Sequence, residues 1–205
     1  VGAAMLGTDA FQEVDVVGVT QPISKWNYQI RRAEDIPWAV ARAFYIAKSG
    51  RPGPVVLDFA KNAQTALIEY QPQTVDFIRS YNPVPTPEQS AIEKAAELIN
   101  QSVKPLMLVG QGVEIAGARE ELLALAEKAQ IPFGQTMLGL SAAPTHHPLN
   151  MGMLGMHGNL APNVMTNQCD LLIAVGMRFD DRVTGDLHTY AKQAKVIHFE
   201  IDPSE

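Results

Sequence analysis

Two arginines and two aspartates fall within the five positions Arg178 to Arg182, directly after the apolar run Leu171 to Val175. A guanidinium presents a planar fork of donors matched to phosphate or carboxylate, so two forks beside a strand end suit an anionic ligand. The competing reading is a solvated ladder of Arg–Asp pairs, each contributing only about 0–1 kcal/mol. The neighbouring motifs decide between them.

Three other apolar runs end in comparable chemistry. "PLMLV" is followed by Gly110, Gln111 and Gly112, "IPFGQ" by Thr136 and Met137, and "VIHF" by Glu200. Glycines let backbone come close to a ligand, although a GxG by itself is equally a plain turn. A carboxylate after a strand is where a nucleotide-binding sheet meets ribose hydroxyls, and ligands of open parallel sheets sit outside the carboxyl ends of the strands. Four such ends together favour a dinucleotide. The segment Gly152 to Gly158, with two methionines and His157, suits the apolar edge of a flat ring system. His146 and His147 stand in a proline-containing loop without cysteine or carboxylate companions, so no metal site is expected.

The elements that must position these residues alternate. In "EDIPWAVARAFYIAKSG" the residues Ile36, Val40, Ala43, Phe44 and Ala47 share one helical stripe, with Pro37 near the start and Gly50 as a stop; "PGPVVLDFA" reads as a buried strand. Residues 62–85 lose all periodicity and carry linker chemistry. Thr86 then reads as the cap of a helix beginning at Pro87, with Gln89 completing a capping box. Strand, helix, strand, helix, strand and strand follow: "PLMLVG", "GAREELLALAEKA", "IPFGQT", "NLAPNVMTNQC", "DLLIAVG" and "KVIHFEID". Strands alternating with helices predict an α/β fold with a doubly wound parallel sheet. The expected organisation is residues 1–61 as part of one α/β domain, 62–85 as linker and 86–205 as a second domain.

Composition narrows the function. With 205 residues, 46% hydrophobic and 19% charged, the chain has enough apolar content for one or two cores. A net charge of −6 gives no basic footprint for nucleic acid. No apolar run approaches the roughly 20 residues that span a bilayer, and no signal-peptide pattern opens the chain, so an aqueous, reducing, cytoplasmic compartment is expected. The single Cys169 reads as a small core residue. A start without methionine and an end just after a strand read as a piece of a longer polypeptide.

"GTDAFQE", "SGRPGPV", "LGMLGMHG" and "RFDDRVTG" together resemble the catalytic large subunit of acetohydroxyacid synthases (acetolactate synthases), thiamine-diphosphate enzymes of branched-chain amino acid biosynthesis. The resemblance runs from about Leu6 to Asp202. It implies the tail of a pyrimidine-binding domain followed by a Rossmann-like central domain holding FAD in a structural role. Flavin contacts are implied for Arg51, Gly110, Gln111, Gly112, Thr136, Met137, Leu154, Gly155, Met156, His157, Gly176, Met177, Arg178, Asp180, Glu200 and Ile201. Arg182 is implied at the active-site end of the flavin, recognising the carboxylate of the second 2-oxo acid. Met156 and Phe11 are implied beside the substrate, Phe11 in a site shared with a second catalytic subunit, and Gln12 and Lys61 at the active-site mouth.

The implied reaction joins a pyruvate-derived two-carbon unit to pyruvate or 2-oxobutyrate, with thiamine diphosphate as electron sink. A small regulatory subunit is a further implied partner. The family's ylide-forming glutamate and its Gly-Asp-Gly motif for magnesium and diphosphate have no counterpart among these residues, so the 205-residue piece by itself is expected to be inert. Gly2 and Gln21 depart from the family's usual proline and arginine, and "DFAKN" from its "PKD" form. Two other classes remain: a glyoxylate carboligase or pyruvate oxidase type of flavin-bearing thiamine enzyme, and a non-catalytic nucleotide-binding module.

Overall fold

The computed structural model describes residues 1–205, which divide into two compact units, Val1–Pro85 and Thr86–Glu205. In the first, α1 (Val16–Thr20), β1 (Trp26–Ile30), α2 (Ile36–Lys48), β2 (Val55–Phe59) and α3 (Lys61–Thr65) follow one another. β1 and β2 pair in parallel, with Trp26 opposite Val55 and Ile30 opposite Phe59. Ile30, Ala39 and Ala63 form the core, flanked by Tyr28, Ile36, Leu57 and Phe59.

Two expectations for this unit change. β1 has no place in the sequence reading, although Trp26, Tyr28 and Ile30 alternate with the amides Asn27 and Gln29 at the period of a half-buried strand. The buried stripe of α2 is Ala39, Ala43 and Ile46, and Phe44 is exposed. Small residues let the helix lie close to the sheet, whereas Trp38 turns to meet Trp26 and Tyr28 edge-on, at centroid distances of 6.1 and 5.3 Å. The Arg42 guanidinium lies over both indoles, at 5.3 and 5.5 Å.

The second unit holds a five-stranded sheet built from β3 (Pro105–Val109), β4 (Phe133–Gln135), β5 (Asn150–Met153), β6 (Leu171–Val175) and β7 (Lys195–Phe199). Its order is β5-β4-β3-β6-β7, and every pair is parallel. The helices are α4 (Gln89–Gln101), α5 (Gly112–Ile115), α6 (Arg119–Ala129), α7 (Leu160–Thr166) and α8 (Asp181–Thr184). One sheet face packs Met107, Val109, Phe133 and Ile173 against α4 and α6; the other packs Leu106, Leu108, Leu172 and Ala174 against Met165 of α7 and the 177–194 segment. Cover on both faces makes this a doubly wound α/β fold, and it is why β3 and β6 are almost continuously apolar.

Local chemistry sets the boundaries. α4 begins at Gln89 with Glu88 as its N-cap and no side-chain cap bond, so Thr86 and Gln89 form no capping box. α6 ends on Gln130 in the left-handed region. β5 and the short α5 are absent from the sequence reading, since four residues cannot display a period. No helix is long and apolar enough to cross a membrane.

Candidate functional site at the strand carboxyl ends

Because all five strands run the same way, their carboxyl ends share one edge. The chain leaves β3 toward β4 and β5 on one side, while β6 and β7 lie on the other, so the direction of winding reverses between β3 and β6. Such a switch point opens the crevice where doubly wound folds take their ligands. Main-chain bonds draw the ends together: Gly110 N donates to Val175 O at 2.9 Å, Gly112 N to Gly176 O at 2.8 Å, Gly176 N to Phe199 O at 2.9 Å and Thr136 N to Val109 O at 2.9 Å.

The glycines at this crossing serve the approach of one loop to another. A Cβ on Gly110 would stand 2.2 Å from Gly176 O, and one on Gly176, whose φ is +60°, would stand 2.7 Å from Gly112 Cα. Only residues without side chains allow the crossing. Thr136 is also engaged locally, its hydroxyl accepting from Gly139 N at 3.2 Å.

The opening motif leaves β6 through buried Met177. His198 of β7 donates from Nε2 to Met177 O at 2.7 Å and stacks edge-on with Phe179, whose ring also meets Tyr190. Beyond that anchor, Arg178 Nε lies 3.3 Å from Asp180 Oδ2 and its side chain is 54% exposed. Asp180 caps α8, its Oδ1 accepting from Arg182 N at 2.9 Å. Arg182 is 72% exposed, 3.8 Å from Asp181, with Nη1 3.8 Å from Met156 Sδ. Asp180 therefore shapes the turn, and the Arg178 and Arg182 side chains remain largely exposed, each beside an aspartate.

The Gly152–Gly158 segment closes the same edge from β5. Leu154 N donates to Gln135 O at 2.9 Å and Met156 N to Arg182 O at 2.8 Å. Leu154 and Gly155 are buried, whereas Met156 and His157 face outward. Met137, Leu138 and Met156 present exposed apolar surface, Met156 beside Arg182. Glu200 turns back on its own chain: Oε1 accepts from Ile201 N at 2.9 Å and Asp202 N at 3.2 Å, and Oε2 lies 3.8 Å from His198 Nε2. One of its oxygens is thus committed to the turn.

Phe11, Gln12, Arg51 and Lys61 belong to the first unit. Phe11 is 88% exposed, on a loop in which Asp9 and Gln12 adopt φ of 60° and 64°. Glu13 steadies that loop by accepting from Gly7 N at 2.5 Å and Ala10 N at 3.1 Å, and the Gly7 bond, followed by that from Ala10, holds its carboxyl below the usual range. Lys61 opens α3 and donates its N–H to Val1 O at 3.0 Å.

The sequence reading overlooks two amides. Buried Gln135 donates to Gly139 O at 3.0 Å and Leu140 O at 3.2 Å and accepts from Asn150 Nδ2 at 2.9 Å, tying down the loop after β4. Asn163 of α7 bonds both main-chain groups of Gly155, at 2.9 Å each. Glutamine inside an apolar strand run is the visible clue to the first; nothing in the spacing marks the second.

Residues 92–205 match the family model described as the central domain of thiamine pyrophosphate enzymes. The chain belongs to the thiamine pyrophosphate enzymes. The acetolactate synthase large subunit of Corynebacterium glutamicum is 48% identical over 206 aligned residues, covering 100% of this chain and 33% of that protein. The acetolactate synthase isozyme 1 large subunit of Escherichia coli is 44% identical, covering 100% of this chain and 36% of that protein. This thiamine pyrophosphate enzyme chain therefore spans about a third of the length of these relatives. An X-ray structure of a proposed thiamin diphosphate-dependent enzyme from Mycobacterium smegmatis superposes with a TM-score of 0.75 at 25% identity, over 99% of this chain and 39% of the other.

Proposed function

We propose that the chain is part of an acetolactate synthase catalytic large subunit, which joins a two-carbon unit from pyruvate to a second pyruvate or to 2-oxobutyrate. The observation that carries this reading is the pairing of Arg182 with Met156 at the strand-end edge: an open guanidinium fork beside a thioether that is itself 59% exposed. A small 2-oxo acid carries the complementary pair, a carboxylate and a short alkyl group. The identity to acetolactate synthases along the whole chain supports the same conclusion.

The residues also fit FAD. Arg178, half exposed and held at Nε by Asp180, supplies a cation beside the switch point for the pyrophosphate, while Met137, Met156 and the Leu154–His157 backbone offer polarizable, close-approaching surface for a flat ring. Gly110 to Gly112, Thr136, Gly176, Met177, Asp180, Glu200 and Ile201 complete that lining; within the first unit, Arg51 is the residue proposed for a flavin contact. The bound thiamine diphosphate of the whole enzyme supplies the electron sink for decarboxylation and carbon–carbon bond formation, with magnesium holding its diphosphate. In the second unit Arg182 would select and orient the acceptor through a charge-assisted bidentate contact and Met156 by packing; within the first unit, Phe11, Gln12 and Lys61 are the residues proposed to meet substrate. FAD is structural, since the net reaction moves no electrons. A second catalytic subunit completes the site, and a small regulatory subunit is a further partner, consistent with the relatives being named large subunits.

The test is product analysis of the intact protein given pyruvate with or without 2-oxobutyrate or glyoxylate. Acetolactate, and acetohydroxybutyrate when 2-oxobutyrate is present, are expected. A product that forms only with glyoxylate, or acetyl phosphate in place of acetolactate, overturns the assignment.

A further inference from the structure

Arg182 is held almost entirely through its main chain. Its N–H donates to Asp180 Oδ1 at 2.9 Å and its carbonyl accepts from Met156 N at 2.8 Å, whereas its side chain has only Asp181 and Met156 Sδ nearby, each at 3.8 Å. Where the guanidinium points therefore depends on where residue 156 is held. Met156 follows Gly155, a buried residue with φ of +98° whose added Cβ would stand 2.8 Å from Arg182 O. Glycine takes this conformation freely but is just as free to leave it, so the direction of the chain into Met156 is fixed only where a partner holds it.

Asn163 is that partner. From within α7 its Oδ1 accepts from Gly155 N and its Nδ2 donates to Gly155 O, both at 2.9 Å. Only a carboxamide supplies a donor and an acceptor side by side, so the pair fixes both polar groups of the peptide preceding and following Gly155. The helix is secured in turn by Pro162, which is buried against the sheet.

We propose that Asn163 is a positioning residue for acceptor binding: by clamping Gly155 it seats Met156 on the Arg182 carbonyl, and so aims the Arg182 guanidinium at the acceptor's carboxylate. The proposal rests on the reading of Arg182 given above. Its chemical consequence is selective. A displaced guanidinium penalises acceptors that carry a carboxylate and leaves uncharged acceptors largely unaffected.

The experiment uses the intact enzyme with pyruvate as donor and lets 2-oxobutyrate compete with benzaldehyde as acceptors, for wild type, Asn163→Asp, Asn163→Ala and Arg182→Ala. Asn163→Asp keeps the size and the acceptor but turns an anionic oxygen toward Gly155 O; Asn163→Ala removes both bonds. Both are expected to lower the ratio of keto-acid product to aldehyde product about tenfold, since an ångström of misplacement costs up to about a hundredfold. The loss should fall on the KM for the keto acid, with flavin content and cooperative unfolding retained. If Arg182→Ala changes the ratio and neither Asn163 variant does, the proposal is overturned and the reading of Arg182 stands. If Arg182→Ala leaves the ratio unchanged, that reading fails and takes the proposal with it. Loss of folding in both Asn163 variants, or equal loss with both acceptors, makes Asn163 merely structural and overturns the proposal.

Discussion

Arg178 and Arg182 carry the same group four positions apart, and different duties are proposed for them, because Arg178 leaves the strand end beside the switch point while Arg182 sits on α8 against Met156. Hydrogen bonds to charged groups contribute about 1.5–3 kcal/mol, so Arg182→Ala should reduce kcat/KM for a 2-oxo acid by roughly 10- to 150-fold while FAD is retained. Steady-state kinetics beside flavin absorbance checks this; loss of flavin with unchanged kcat/KM for the remaining holoenzyme would reverse the two roles. Cys169 is a simpler case. Burial pushes its thiol up to about 11, and its Sγ is turned toward Thr166 O at 3.2 Å, so iodoacetamide at neutral pH should label it only after denaturation, as read by intact mass. The buried cysteine was legible from residue type and position. Glu200 was legible as a strand-end carboxylate but not as a group bonded to its own turn, and Asn163 was invisible, because its partner is the backbone of a residue eight positions away.

At the scale of elements, Asp170 shows how a single side chain sets a boundary. At the entrance to β6 its carboxylate accepts from Ser102 Oγ, from Val103 N at 2.7 Å and from Lys104 N at 3.0 Å, fastening the end of α4 to the sheet. These bonds, the Ser102 hydroxyl first, hold its carboxyl below the usual value of 3.8. A carboxyl lowered by folding adds stability that is present above the unfolded value and is lost as pH falls through the lower folded value. Asp170→Ala should therefore cost about 1 kcal/mol at pH 7, a modest figure because solvent screens the site, and the gap should close below about pH 3.8. Urea melts at pH 7 and pH 3 measure both; an equal gap at the two pH values would contradict the assignment. Helices with clear 3.6-residue patterns were readable, but the face that α2 buries was so only in part: Ala43 was placed correctly, whereas Ala39 and Ile46 take the places expected for Val40 and Phe44 because the partner sheet rather than apolar size selects the face. β5 escaped because a four-residue strand that itself contains Gly152 carries no period.

Across the molecule, direction was easier to read than order. Alternating strands and helices imply parallel strands, and parallel strands put every carboxyl end on one edge whatever their sequence across the sheet. That is why the strand-end residues could be grouped before the order β5-β4-β3-β6-β7 was known. The order depends on long-range packing, and with it the crossing of Gly110, Gly112 and Gly176 at the switch point. Gly176→Ala places a methyl 2.7 Å from Gly112 Cα at a φ of +60°, so it should destabilise the second unit by more than about 1 kcal/mol and weaken flavin retention, as followed by thermal melts with and without added FAD. Unchanged melting would show that the two loops do not cross as described.

The proposed convergence of the strand ends on a dinucleotide is tested most directly by the flavin content of the intact protein and its Arg178→Ala variant, measured from the absorbance and fluorescence of the cofactor released on denaturation. About one FAD per chain is expected in the wild type, with a sharp fall in the variant at equal folding. A wild type without flavin, or a variant that keeps it equally well, would contradict the assignment of this edge.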